Sequence, residues 1–196
     1  GGSNEIGTVA ADVTGSVAVG DRSALTVGSA GGINGITTRS VLTVPAGVVT
    51  DATYTDANVS ISTNSDNLLA GPMLTINQPI TAGVKEPFPA ADDPAAAAAA
   101  ARTGQVLLFL VNDTTATGPA LVEGGLLNLS AEVTKGTFDL TTKVSALALS
   151  GSKDATINNT AYTGTLSALN LGLRDISTSG SVSSAANTVT PAGTIG

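Results

Sequence analysis

Residues 8–19 alternate without a break. Val9, Ala11, Val13, Gly15, Val17 and Val19 fall on one face, and Thr8, Ala10, Asp12, Thr14, Ser16 and Ala18 on the other. A period of two places successive side chains on opposite faces of an extended backbone, so one face is built for a core and the other for water. The pattern predicts one strand of about twelve residues, roughly twice the common length.

The same signal recurs along the chain. Ile33-Asn34-Gly35-Ile36 carries the Asn-Gly pair of a type I′ hairpin, and Val44-Pro45-Ala46-Gly47-Val48 has Pro and Gly placed for a tight turn. Further strands are predicted at 41–44, 48–54, 59–62 and 73–76. Val106 to Val111 is apolar on both faces, which suits a central, doubly covered strand. A meander then reads as 120–123, a Gly124-Gly125 turn, 126–134, a Lys135-Gly136 turn, 137–149, a loop at Gly151 to Asp154 and 162–176. Within it, Phe138 and Leu140 have one parity and Leu147 and Leu149 the other, which calls for a bulge or bend near Thr141 to Val144.

One segment breaks the pattern. Asp92-Asp93-Pro94, then Ala95 to Ala101, then Arg102-Thr103-Gly104, has an acidic N-cap, an early Pro, strong helix formers and a terminating Gly. It predicts a single short Ala-rich helix over 93–103, with a flexible Ala-rich linker as the alternative.

Together these readings give an all-β fold, a β-sandwich or jelly roll of about nine to twelve strands with that one helix. Residues 1–20 form a separate N-terminal strand, a candidate donor, and 21–196 a single sandwich domain. No repeat of fixed period is visible, which argues against a β-solenoid.

Composition removes most chemistry. The 196 residues include no His and no Cys, so a Ser-His-Asp or Cys-His nucleophile, a thiol redox centre and a His/Cys zinc site are all excluded. Net charge is −7 with eight Lys and Arg, too few to neutralise a phosphate backbone, and nucleic acid is not expected as a partner. The longest strongly apolar run is Val106 to Val111, far short of the roughly 20 residues of a spanning helix, so no membrane insertion of the mature chain is expected. Gly1 at the start, with Met73 the only Met, reads as a processed secreted chain, and an expression scar is the alternative.

The surviving motifs are weak. Ser150-Gly151-Ser152-Lys153 and Ser65-Asp66-Asn67 match two elements of penicillin-recognising enzymes, but in reversed order and without the K-T-G element. The 15 carboxylates are scattered mostly at predicted turns, and without Trp there is little to platform a sugar, so a glycosidase is not expected. Asp51, Asp56 and Asn58, or Asn64, Asp66 and Asn67, could offer oxygen ligands to calcium, yet solvated turns explain them as well and no EF-hand spacing is present. Neither metal nor cofactor is assigned. Asn58, Asn112, Asn128 and Asn158 head four N-glycosylation sequons, about the number chance supplies in a chain rich in Asn, Ser and Thr.

The functional expectation therefore rests on the N-terminal strand and on composition. Charged residues are only 12% of the chain, about half the usual share, so the surface carries little charge to desolvate and suits burial between subunits. The expectation is a non-enzymatic subunit of an extracellular, cell-surface filament of pilus type, with other copies of itself as its partner. Val9, Ala11, Val13, Gly15, Val17 and Val19 would enter a neighbour head to tail, and Val106, Leu108, Phe109 and Leu110 would line the core beside the accepting groove. Completion of a sheet in the same subunit is the competing reading of that strand. A virion component (capsid decoration or tail) and a monomeric adhesin or binding module are the rival functions.

Overall fold

The structure, a computed structural model, describes residues 6–43, 53–63, 71–85, 104–111, 114–131, 136–150, 152–162, 168–172, 179–184 and 188–189. No helix lies among them, and the helix expected over 93–103 falls outside them. The all-β expectation holds for these residues.

The chain winds in rungs. The first holds β1 (Thr8–Val9), β2 (Ala11–Thr14) and β3 (Val17–Asp21). The second begins with β4 (Leu25–Val27), detours through the hairpin β5 (Ser29–Ala30) and β6 (Ile33–Asn34), continues in β7 (Ile36–Thr43), passes through the short β8 (Thr53–Thr55) and ends with β9 (Val59–Thr63). The third holds β10 (Gly71–Ile76), β11 (Ile80–Lys85) and β12 (Gln105–Leu110). In the fourth and fifth, single long strands bend round all three sides: β13 (Thr114–Ala131) and β14 (Gly136–Ser150). β15 (Ser152–Asn159) and β16 (Ala168–Gly172) belong to the sixth, β17 (Ser179–Ser184) starts a seventh, and β18 (Thr188–Val189) turns back on it.

Strands on each side stack in parallel. β1, β4, β10, the start of β13, the start of β14, β15 and β17 make the first side. β2, β7, β11 and the middles of β13 and β14 make the second. β3, β9, β12, the ends of β13 and β14, and β16 make the third. This is a three-sided β-solenoid, each turn stacked on the last.

The sandwich or jelly roll and its meander are therefore corrected, and the loop expected at Gly151 to Asp154 is, from Ser152 on, the start of β15, paired in parallel with β14. Antiparallel neighbours would define a meander, whereas the described antiparallel pairs are only the β5–β6 hairpin, β7–β8 and β17–β18. Alternation specifies which face is buried and is blind to the direction of the neighbouring strand. The argument against a solenoid also fails. Along the outer row of the first side, Thr8, Thr26, Thr75, Thr117, Asp139, Thr156 and Ser181 are successive register partners, and the intervals between them run from 17 to 49 residues. Insertions of unequal length between strands hide the repeat from any search at fixed period.

Inside the coil, each side contributes columns of aligned apolar residues to one core. Val59, Val106, Leu127 and Leu147 form such a column on the third side, and Ile61, Leu108, Leu129 and Leu149 form the next. Phe138 is fully buried and has Ala116 and Ala155 as its lateral partners, so one large ring sits between two small residues. Volume matching of this kind brings a core to crystal-like density.

Corners need special residues. A Cβ on Gly104 would overlap the Ala57 carbonyl, and Gly35, at φ 72°, lies so close to the Pro79 carbonyl that a side chain is barred twice over. The expected hairpin turn at Asn34-Gly35 is displaced: Gly31 and Gly32, with φ of 58° and 84°, make the reversal, while Asn34 pairs with Ser29. The Pro45-Gly47 turn lies outside the described residues. The parity change expected near Thr141 to Val144 occurs just beyond, where Ser145 and Ala146 turn the corner between the second and third sides.

Candidate assembly surface

The predicted donor strand is the first rung. Its single alternating face runs through two corners, at Ala10 and at Gly15-Ser16, so the twelve-residue strand is three shorter ones. Gly15 takes a φ of 98° that a side chain disfavours, which allows the bend without loss of parity. Pairing is within the chain: Ala11 to Thr14 lie against Ile36 to Arg39, and Val17 to Asp21 against Val59 to Thr63. The boundary expected at residue 20 falls inside β3.

Among the described residues, β1, β2 and β3 differ from inner strands in having one lateral partner each, namely β4, β7 and β9. Val9, Ala11, Val17 and Val19 pack against the core yet stay half-buried, whereas Val27, Ile36, Val59 and Ile61, one rung further in, are fully buried. The first rung thus presents a row of backbone N–H and C=O groups together with apolar side chains covered on one flank. Asp21 anchors its end: its buried carboxylate accepts from the backbone N–H of Ile6 at 2.7 Å and of Ser23 at 3.0 Å.

The second predicted group divides. Val106, Leu108 and Leu110 are fully buried, in a strand flanked by β9 and β13. Phe109 is not in the core: alternation turns it outward with Leu107, half-buried, in register with Ser62 and Ser130. A run that is apolar on both faces does not by itself reveal which parity is inside.

Polar residues in a role that the sequence did not reveal hold the coil together. At the corner between the second and third sides, Asn58 donates its backbone N–H to Ser16 Oγ at 2.9 Å, and its Oδ1 accepts from the Gln105 N–H at 2.7 Å, joining three rungs. Asn159 ties the sixth rung to the fifth where no described strand covers β14: Oδ1 accepts from Val144 N–H and from Thr142 Oγ1, both at 2.9 Å, and Nδ2 donates to Val144 O at 3.0 Å. Its amide replaces a strand's backbone at a buried site. An Asn just beyond an alternating run is the only sequence trace of this role.

The remaining candidates do not converge. Of the sequons, Asn58 is committed to the corner, Asn128 lies mid-strand between Leu107 and Ala148, Asn158 is exposed and accepts from Thr160 Oγ1 at 2.7 Å, and Asn112 lies outside the described residues. Asp51, Asn64, Asp66 and Asn67 are also outside them, so neither calcium loop is described as a set. Among the described residues no three His, Cys, Asp or Glu side chains gather into a metal-binding group. Ser150 Oγ donates to Ser130 Oγ at 3.2 Å across two core strands. On the outer face of the second side Arg39 pairs with Asp12, and Lys143 with Glu123 at 3.0 Å.

No helix among the described residues is long and apolar enough to cross a membrane. Comparison of the chain with protein-family models, with curated proteins and with solved structures gives no match.

Proposed function

We propose that the chain is a non-enzymatic, self-assembling structural subunit of an extracellular filament, in which copies join head to tail across the outer edge of the first rung. The observation that carries this reading is the contrast between rungs: among the described residues β1, β2 and β3 have one lateral partner each, and their inward Val and Ala residues are only half-buried. A strand edge with apolar side chains beside it is a template for another chain. The low-charge, Thr-rich composition supports the same reading, since it lowers the cost of desolvating the sides of a fibre.

Because β2 and β3 pair within their own chain, the mechanism is strand addition at an edge and not insertion into a vacant groove. Deleting the rung is a poor test, for it would uncover Ile36, Val59 and Ile61 in its place. The discriminating variant is Val13→Asp, with Thr14→Asp as control: both add one negative charge to β2, one on the inward parity and one on the outer face. Native mass measurement and electron microscopy of the purified chain should show open polymers for the parent and for Thr14→Asp. Val13→Asp should raise the critical concentration at least about a hundredfold, as an unpaired charge at a contact implies. Closed rings or shells, or a chain that stays strictly monomeric with protected β2 and β3 amides, would reject the filament in favour of a virion component or a binding module.

A further inference from the structure

β18 pairs with β17 through two residue pairs, Val182 with Val189 and Ser183 with Thr188, and it runs antiparallel. Apart from the inserted β5–β6 and β7–β8 pairs, every other described pairing is parallel. β17 is the last described strand on the first side, the side that β1 begins. Among the described strands the two ends of that side therefore differ: β1 has a lateral partner on one flank only, while β17 has β15 on one flank and β18 on the other. A strand edge offers one row of donors and acceptors, and a second strand cannot use it until the first has left.

We infer that β18 is a removable stop that occupies the place on β17 where β1 of the next copy would continue the first side. The inference rests on the head-to-tail reading above. In it, growth at this end is limited by release of a strand held through two described residue pairs, so a subunit is protected from premature stacking and opens when an incoming edge competes.

A reversible lock tests this. Partners facing each other across an antiparallel pair have Cα atoms about 4.5–5.5 Å apart, within disulfide range. The chain has no Cys of its own, so Ser183→Cys with Thr188→Cys creates one defined cross-link. Seeded elongation is followed by light scattering, with Val189→Pro as the opposite variant. The oxidised double variant should not elongate, reduction should restore the parent rate, and Val189→Pro should elongate about tenfold faster, the effect of weakening one or two backbone hydrogen bonds. Equal rates for the oxidised and reduced double variant, or an unchanged rate for Val189→Pro, would overturn the stop alone if the parent polymer still depends on Val13. Absence of polymer from both the parent and Val189→Pro would overturn the stop together with the filament.

Discussion

The first and fourth rungs follow the same rule of alternation and end in different states. In the fourth, β13 is flanked along its length by strands of the third and fifth rungs, and Val122, Leu127 and Leu129 lose all contact with water. In the first, Val9, Ala11, Val17 and Val19 point the same way and remain half-buried, because described strands cover only one flank. A side chain in a coil of this kind is buried by the rungs on either side of its own. Stability in stacked repeats is a sum of rung terms and neighbour terms, so the first rung lacks one neighbour term that an inner rung has.

That contrast can be tested by substitution. Phe138→Ala, between Ala116 and Ala155, leaves a void that two alanines cannot fill and should cost about 3–5 kcal/mol in urea unfolding, whereas Val13→Ala in the first rung should cost about 1 or less. Comparable losses at the two sites would show that the first rung is as well covered as the middle. Next in size, Leu108→Ala should cost about 3 kcal/mol and Phe109→Ala about 1, although the two residues are adjacent and the second is larger. A reversed order would put Phe109 inside. Asn159→Ala would strip a buried N–H and C=O of Val144 of their partner and should cost about 2 kcal/mol, with faster amide exchange at Val144 as its local signature. The smallest effect has the opposite sign. Gly20→Ala meets no atom within 4 Å of the new Cβ and should stabilise by about 0.5 kcal/mol, while Gly104→Ala, aimed at the Ala57 carbonyl, should destabilise.

Strand positions were largely legible. β9, β10 and β12 lie where periodicity put them, and the inward parity of Val9 to Val19 holds through two corners. The parity conflict between Leu140 and Leu147 signalled a real bend, since a corner residue breaks the period of two. What periodicity missed is lateral. It could not say that Gly124-Gly125 turns a corner and does not reverse the chain, because Gly permits both. Nor could it anticipate Asn58 and Asn159, whose side chains complete ladders against residues 47 and 15 positions away.

The chain's own order of residues determined which positions extend, which face turns inward and which chemistries are closed to it: spacing of apolar groups and absence of His and Cys act locally, one residue at a time. Only the tertiary structure decided which strands are neighbours, in which direction, and which rung is left with an uncovered flank. Those are contacts between segments 17 to 49 residues apart, set by how well columns of side chains stack across insertions of unequal length.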